Sequence, residues 1–296
     1  MSFFSTISKY LSLVKFAHTV FALPFALIGF FLGSADTGTL VNVRLLLLVL
    51  ACMVLARNAA MGFNRFTDRK IDLKNTRTIK REIPSGILQP LPVLLFVIIN
   101  IAGFIVVTYF INDICFYLSP VAMLVVLGYS FTKRFTFLCH LILGLGLSLA
   151  PIGAYLAVTG HFALHPVLYS FAVLFWVGGF DIFYALQDID FDRSQNLKSI
   201  PVRLGVKKSL FISALFHLIA SVIIIYVGLE IGFGLLYWIG TVIFIAILFY
   251  EHLIVKPSNL SRINQAFATL NGIASVIFGI FVIGELVYDY YIWKFL

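Results

Sequence analysis

The chain has 296 residues, of which 61% are hydrophobic and 11% are charged, and its mean hydropathy is +1.04. A soluble domain is roughly 45–50% apolar and about 25% charged, and disordered chains are poor in apolar residues. The composition therefore excludes both classes and predicts an all-α integral membrane protein. Because about 20 apolar residues cross a bilayer as a helix, the length provides for roughly eight to ten crossings in a single transmembrane domain over residues 1–296.

Apolar runs separated by polar residues predict nine membrane-spanning helices. We expect the first to be retained as a span, because its apolar run is too long for a signal peptide. Only Asn112 and Asp113 separate the third and fourth spans, which predicts a tight helical hairpin, and Pro151 predicts a kink in the fifth. The predicted spans are 14–34, 43–66, 89–111, 114–131, 138–159, 165–188, 209–229, 232–254 and 264–291.

The basic residues predict the orientation of these helices. All but three of the 21 Lys and Arg residues lie at the N-terminus or after an even-numbered span, the exceptions being Arg44, Arg57 and Lys294. Because positive charge is retained on the cytoplasmic side, we expect a cytoplasmic N-terminus and an external C-terminus, in the inner (plasma) membrane of a bacterial cell. The same excess explains the net charge of +8, so we expect no nucleic-acid partner.

Six of the 13 acidic residues fall in two clusters at predicted cytoplasmic helix ends. Carboxylates near a membrane helix are costly and usually functional. In the first cluster Asn64, Asp68 and Asp72 are spaced i, i+4, i+8, so they share one face if the helix continues. In the second, two aspartates repeat the i, i+4 spacing. The second cluster consists of Asp181, Asp188, Asp190 and Asp192.

Each acidic cluster leads directly into a basic stretch. Two carboxylate pairs on facing helix ends could hold Mg²⁺, which prefers oxygen ligands and bridges to substrate phosphates. The neighbouring cations could then neutralise the remaining phosphate charge. Mixed charge in a single loop would ordinarily reflect solvation, but the matched pair of clusters predicts a site that binds a diphosphate and helps it leave. The basic stretches contain Lys74, Arg77, Lys80 and Arg81, and Arg193, Lys198 and Arg203.

At these residues the sequence resembles the UbiA superfamily of intramembrane aromatic prenyltransferases. Residues 64–72 (NRFTDRKID) resemble the first aspartate motif of the family, and residues 184–192 (YALQDIDFD) resemble the second. The segment 129–134 (YSFTKR) resembles a further family segment, and 18–26 (HTVFALPFA) resembles the first-helix signature of 4-hydroxybenzoate polyprenyltransferases. One departure is Arg65, which stands where many members have an aspartate.

The resemblance implies a fold and a set of roles. The implied fold has about nine helices around a central cavity, which the two motif loops cap and which opens laterally to lipid. Asp181 is expected to face this cavity near the acceptor ring. The alternative is that it is an acid in the helix interior whose hydrogen bonds are satisfied there. The implied Mg²⁺ ligands are Asp68, Asp72, Asp188 and Asp192, with Asn64 assisting. The implied diphosphate-binding residues are Arg57, Asn64, Lys133, Arg134 and Lys198.

The implied reaction is Mg²⁺-dependent transfer of a polyprenyl group from polyprenyl diphosphate to the ring of a hydroxylated aromatic acid in respiratory quinone biosynthesis. The segment around His18 favours 4-hydroxybenzoate, and the Asn64-Arg65 version of the first motif leaves a menaquinone-pathway naphthoate as the alternative. His18 itself is either an acceptor-binding residue or a helix-end histidine with a backbone partner.

Two other classes of membrane protein could also contain charged clusters of this kind. A transporter gated by the charged clusters would favour carboxylates deep within the spans, and the midsections of spans three, five, seven and eight have none. A CDP-alcohol phosphotransferase would also use Mg²⁺ and membrane aspartates. It would need an Asp-Gly-x-x-Ala-Arg motif, which the sequence lacks.

Overall fold

The computed structural model describes residues 3–14, 21–39 and 41–295. Within these residues the regular structure is helical, apart from one isolated bridge between Lys256 and Asn259. The helices are α1 (Phe3–Leu13), α2 (Leu23–Asp36), α3 (Val43–Asp72), α4 (Pro90–Tyr109), α5 (Asp113–Thr132), α6 (Cys139–Thr159), α7 (Leu164–Ala185), α8 (Ile189–Ser194), α9 (Ile200–Ile231), α10 (Leu235–Ile254) and α11 (Asn271–Phe295).

Eight segments within the described ranges are long and apolar enough to cross a membrane, and each coincides with one of the last eight predicted spans. The first predicted span coincides with α2, an apolar helix of 14 residues. The all-α multi-pass membrane fold is therefore confirmed. His18, with the rest of 15–20, lies outside the described residues, so the count of nine and the orientation stay predictions.

Helix α3 extends well beyond its predicted span of 43–66. It begins after Asn42, whose side chain accepts a hydrogen bond from the Leu45 N–H at 3.1 Å, and it continues to Asp72. The predicted end was wrong because hydropathy falls at the polar residues after Phe66, although the helical backbone does not stop there. The first motif therefore lies on continuous helix, as its spacing required.

The end of α7 differs from the prediction in the opposite sense. The predicted helix 165–188 ends at Ala185, and a 3₁₀ turn at Leu186–Asp188 leads into the short helix α8. The interruption therefore lies between Asp181 and Asp188, so these two residues are not on one continuous α-helix, whereas Asp188 directly precedes α8, which carries Asp192. The carboxylates of Asp188 and Asp192 are both buried.

Helix α9 begins before its predicted span of 209–229. Ser199 caps it by accepting a hydrogen bond from the Val202 N–H at 3.2 Å, and Gly205 interrupts it with φ +75°. That conformation is accessible to glycine at little steric cost. The short first segment therefore changes direction at Gly205 before the membrane-spanning part begins.

The predicted hairpin between the third and fourth spans is confirmed. Helix α4 ends at Tyr109 and α5 begins at Asp113. Asn112 accepts a hydrogen bond from the Cys115 N–H at 2.9 Å and donates one to the carbonyl of Leu156 at 2.8 Å. The same side chain thus caps α5 and joins the hairpin to the end of α6.

Helix α7 lies at the centre of the bundle, packed against α6 and α9, and its Trp176 and Phe183 are fully buried. Helix α2 packs against α6 and also contacts α7, and its Gly29 lies directly against the carbonyl group of Pro151. A Cβ atom at position 29 would overlap that carbonyl oxygen. Glycine at this position therefore allows the close approach of the two backbones.

We expect Gly29→Ala to destabilise the protein, because the added methyl group meets backbone atoms that cannot rotate away. Overpacking of this kind costs roughly 1–3 kcal/mol. Thermal unfolding of the purified protein in detergent measures the effect. The matched control is Gly153→Ala in α6, where a Cβ atom meets nothing within 4 Å. Equal melting temperatures for the two variants would contradict the assigned contact.

Candidate active site

A cavity of about 180 Å³ lies where the C-terminal ends of α3, α5 and α7 meet. Its wall combines both aspartate motifs with the loop that follows α3, and it includes Tyr129, Lys133 and Tyr184. The structure thus brings the two predicted clusters to one place, although more than 100 residues separate them in sequence. The acidic residues that line the cavity are Asp68, Asp72, Asp181, Asp188 and Asp192.

Asp68 is held by residues from two helices. Its Oδ2 accepts a hydrogen bond from Nδ2 of Asn64 at 3.0 Å, and its Oδ1 accepts one from Nη2 of Arg134 at 3.0 Å. The same Nη2 also donates to the carbonyl of Thr67 at 3.0 Å. Three residues predicted for the site are therefore in direct contact, and Arg134 joins the end of α5 to α3.

Asp72 is paired with the loop that follows it. Nη1 of Arg81 donates to both carboxylate oxygens, at 2.7 and 2.9 Å. The Thr78 hydroxyl donates to the Asp72 carbonyl at 3.1 Å, so the loop folds back over the end of the helix. The Asp72 side chain is only 7% exposed, and the arginine offsets the cost of burying its charge.

Asp188, in the second motif, is paired with the loop of the first. Arg77 approaches it with two nitrogens: Nε donates to Oδ1 at 2.9 Å, and Nη2 donates to Oδ2. Asn75 donates to Oδ1 at 3.1 Å. Arg77 also donates to the Tyr184 hydroxyl at 2.6 Å. Burial alone would lower the pKa of Arg77, but its hydrogen bonds to Asp188 outweigh this and raise it above its usual range.

Asp192 is almost fully buried and is paired with Lys133, whose Nζ donates to Oδ2 at 3.1 Å. Burial alone would lower the pKa of Lys133, but the charge of Asp192 outweighs it and raises the pKa above its usual range. Lys133 stays charged, and its contact with Asp192 joins the segment after α5 to the second motif.

Asp181 lies deeper in α7 and has a different kind of partner. Its Oδ2 is 2.7 Å from Nδ1 of His140, a side chain at the start of α6 that is completely buried. The backbone N–H of Ile200 donates to the other ring nitrogen, Nε2, at 3.4 Å. The carboxylate itself lines the cavity, with 18% of its side chain exposed.

Two residues implied for diphosphate binding are not among those that line the cavity. Lys198 donates to the carbonyl of Phe135 at 3.1 Å, and its backbone N–H donates to the carbonyl of Lys133 at 2.6 Å. Arg57 lies on α3 seven residues before Asn64, which places it roughly 10 Å further along the helix. Lys198 therefore anchors the loop before α9, and Arg57 lies outside the cluster of paired charges.

Sequence reasoning did not assign partners within the loop after α3, although it identified the basic stretch there. The charge pattern of this loop was the signal that could have indicated such contacts. Nothing in the apolar run around His140 indicates that this side chain meets Asp181, because the contact depends on the packing of α6 against α7. Arg77 and Arg81 were predicted only as members of the basic stretch, and the residues missed altogether are Asn75 and His140.

The donor atoms in the cavity fit a hard divalent cation. Aspartate carboxylates and the Asn64 amide are oxygen ligands of the type that Mg²⁺ prefers. Among the described residues no three acidic, His or Cys side chains already form a metal-binding group. Each carboxylate of the two motif pairs instead contacts an arginine or a lysine, so a cation bound there would share these carboxylates with basic side chains.

Comparisons with known proteins were made by sequence and by structure. The model of the UbiA prenyltransferase family matches residues 22–273. A 4-hydroxybenzoate octaprenyltransferase of Tolumonas auensis is 29% identical over 234 residues, which cover 79% of this chain and 82% of that protein. The enzyme of the same name from Shewanella sp. (strain ANA-3) is 30% identical over 235 residues, with the same coverage of both chains.

Solved structures share the fold. The apo structure of a UbiA homologue from Aeropyrum pernix K1 has a TM-score of 0.80 and is 30% identical, covering 94% of this chain and 98% of that one. A UbiA homologue from Archaeoglobus fulgidus, bound to DMAPP and Mg²⁺, has a TM-score of 0.72 at 21% identity, covering 94% and 99%. The helical bundle described above is therefore the UbiA fold.

We expect Arg77→Ala to loosen the loop after α3, because the guanidinium joins this loop to Asp188 and Tyr184. Limited proteolysis with endoproteinase Glu-C, which cleaves after Glu82, should then be several-fold faster than in the wild type. The control is Lys80→Ala, which removes an exposed positive charge from the same loop. Neither substitution changes the cleavage site. Indistinguishable cleavage rates for the two variants would show that the Arg77 contacts do not hold the loop.

Proposed function

The chain belongs to the UbiA prenyltransferase family, and we propose that it transfers a polyprenyl group from polyprenyl diphosphate to the ring of 4-hydroxybenzoate. That it is a multi-pass membrane prenyltransferase follows from the family and the fold. The choice of donor and acceptor is the proposal. Its support comes from the charges in the cavity and from the relatives, which are 4-hydroxybenzoate octaprenyltransferases.

The observation that carries the proposal is the pairing of four buried or half-buried aspartates with four cations around one cavity. Such a site holds charge of both signs in balance. A diphosphate accompanied by divalent cations also brings charge of both signs. The aspartates can therefore bind the cations, and the arginines and the lysine can bind the diphosphate, without leaving a buried charge uncompensated. The pairs are Asp68–Arg134, Asp72–Arg81, Asp188–Arg77 and Asp192–Lys133.

Mg²⁺ is the proposed cofactor, and the UbiA homologue of Archaeoglobus fulgidus is a neighbour in fold whose structure contains Mg²⁺ and DMAPP. When bound, the ion would bridge the carboxylates to the diphosphate and stabilise the negative charge of the leaving group. The residues that would hold it are Asp68, Asp72, Asp188 and Asp192, with Asn64 assisting.

The basic residues of the cavity would act on the diphosphate. Arg134 and Lys133 are proposed to bind its oxygens once their aspartates bind metal, as the sequence predicted. We assign the same role to Arg77 and Arg81, which replace Arg57 and Lys198 in the proposed set because they line the cavity. Guanidinium groups suit this task, since they donate two parallel hydrogen bonds to phosphate oxygens.

Ionisation of the donor breaks the bond between the allylic carbon and the diphosphate oxygen. The cation that results is attacked by the electron-rich ring of the acceptor beside its hydroxyl group, and loss of a proton restores aromaticity. The cavity wall contributes the ring of Tyr129, and Tyr184 stacks on Phe267 with a centroid distance of 4.4 Å. Aromatic faces of this kind can stabilise a passing cation.

We also place the active site on the cytoplasmic side of a bacterial inner membrane. The cavity lies at the helix ends that carry the basic connections, and those connections are expected inside. The diphosphate would then be bound from the aqueous side, with the isoprenoid chain extending among the apolar helices.

The test is an acceptor panel. Membranes containing the full chain are supplied with polyprenyl diphosphate, Mg²⁺ and either 4-hydroxybenzoate or a dihydroxynaphthoate, and prenylated product and released diphosphate are measured. We expect product with 4-hydroxybenzoate. Product with the naphthoate alone would reassign the acceptor to the menaquinone pathway, and the absence of product with both compounds would show that neither is the acceptor.

The metal and carboxylate roles have their own test. We expect Asp68→Asn and Asp188→Asn each to lower the rate of transfer by at least about 100-fold, because removing a transition-state charge stabiliser costs that much. EDTA should abolish the activity and added Mg²⁺ should restore it. The matched control is Asp190→Asn, which makes the same change at a fully exposed position of the second motif.

The control variant is expected to retain wild-type activity. If all three variants lost activity equally, the effect would be one of overall charge or folding. If Asp68→Asn and Asp188→Asn were fully active, the proposed metal site would be wrong.

A further inference from the structure

Asp181 differs from every other acidic residue that lines the cavity. The other four are paired with an arginine or a lysine, side chains that remain charged throughout the physiological pH range. Asp181 is paired with His140, and an imidazole can take up or release a proton under ordinary conditions. A site that binds diphosphate needs no such pair for that purpose.

The hydrogen bonds around His140 determine how it meets the carboxylate. The backbone N–H of Ile200 donates to Nε2, so Nε2 is an acceptor and Nδ1 carries the proton that is donated to Asp181. The ring is completely buried between α6, α7 and the start of α9. Its orientation is therefore fixed, and Oδ2 of Asp181 is occupied while Oδ1 is left for the cavity.

The depth of Asp181 also separates it from the charged cluster. It precedes Asp188 by seven residues, across the end of α7 and the 3₁₀ turn, which corresponds to roughly 10 Å of helical rise. The reacting carbon of a prenyl diphosphate is bonded to the diphosphate, so an acceptor ring lies beyond the phosphates on the side of the apolar chain. Asp181 lines the cavity on that side, one to two helical turns from the proposed metal ligands.

The geometry points to Asp181 as the group that accepts the proton lost by the acceptor ring, and to His140 as the residue that positions it. The ring attacks the allylic cation that ionisation of the donor has formed, and a carbon–carbon bond results. The attacked carbon then holds both the prenyl group and its original hydrogen. This hydrogen leaves as a proton to Oδ1 of Asp181, and the electron pair of the C–H bond returns to the ring.

The donated hydrogen bond from His140 serves this step in two ways. It keeps Oδ2 occupied, so that the other oxygen of Asp181 faces the substrate. It also holds the carboxylate in one rotamer, since the histidine cannot turn without losing its bond to Ile200. A general base held in this manner typically contributes 10²–10⁴-fold to a rate.

The test compares the acceptor carrying hydrogen with the acceptor carrying deuterium at the reacting ring position, in membranes that contain the full chain. Two products are measured: the prenylated acceptor, and the prenyl alcohol that forms when water traps the ionised donor. For Asp181→Asn we expect the prenylated product to fall by about 100-fold while prenyl alcohol and diphosphate are still released. A kinetic isotope effect larger than that of the wild type should appear, because proton loss then limits the rate.

His140 is tested by two substitutions. His140→Gln keeps an amide that can donate to Asp181, whereas His140→Ala leaves no donor. We expect the glutamine variant to recover part of the activity that the alanine variant loses, with an isotope effect between those of the wild type and Asp181→Asn. Asp190→Asn again serves as the control and should show the wild-type ratio of products.

The inference rests on the proposed function, and different experimental results would contradict each of them. If the proposed function is wrong, the wild type itself forms no prenylated acceptor. If only the proton acceptor is wrong, the wild type is active, and Asp181→Asn either retains its product or loses product and prenyl alcohol together with no change in the isotope effect. Either result for the variant would show that the contact between Asp181 and His140 has only a structural role.

Discussion

The structure depends on the compensation of buried negative charge. An aspartate taken out of water is stable in its ionised form only when a cation or several donors replace the lost solvation. Each of the five acids that line the cavity has a partner, which is an arginine or a lysine for four of them and His140 for Asp181. Four of these partners come from distant parts of the chain. The charges therefore determine which helix ends and loops must meet, in a bundle whose apolar surfaces alone would allow many arrangements.

The clearest case is the loop after α3. Its Arg81 covers the end of the helix that carries Asp72, and its Arg77 reaches the second motif. For the Asp72 pair, in which both side chains are mostly buried, loss of one partner would leave an uncompensated charge at a cost of roughly 3–5 kcal/mol. The polar end of α3, which hydropathy does not predict, is thus stabilised by the loop that follows it.

The spacing of residues along the sequence predicted those helices that depend on interactions between near neighbours in the chain. The i, i+4, i+8 spacing of Asn64, Asp68 and Asp72 indicated one helical face, and the helix does continue through all three. The same spacing in Asp188 and Asp192 also indicated helix, and the short helix α8 does form there, but a 3₁₀ turn at Leu186–Asp188 separates it from α7. Periodicity cannot distinguish these outcomes, because the turn belongs to a segment whose carboxylates are held by distant cations.

The pairings themselves were beyond sequence reasoning for a similar reason. Arg77 and Asp188 are 111 residues apart, and neither has a neighbour in sequence that identifies the other. The family resemblance indicated Lys133, Arg134 and the four aspartates, and the structure places all six around one cavity. It also implied Lys198 for the phosphate, although this side chain is directed to a backbone carbonyl on the loop after α5.

The contact between Arg77 and Asp188 limits how the protein can be divided. Arg77 and Asn75, in the first half of the chain, both donate hydrogen bonds to the carboxylate of Asp188 in the second half. The two halves are therefore not interchangeable modules. In a chimera built from two relatives, the loop after α3 and the second aspartate motif would have to be inherited together for the junction to remain charge-balanced.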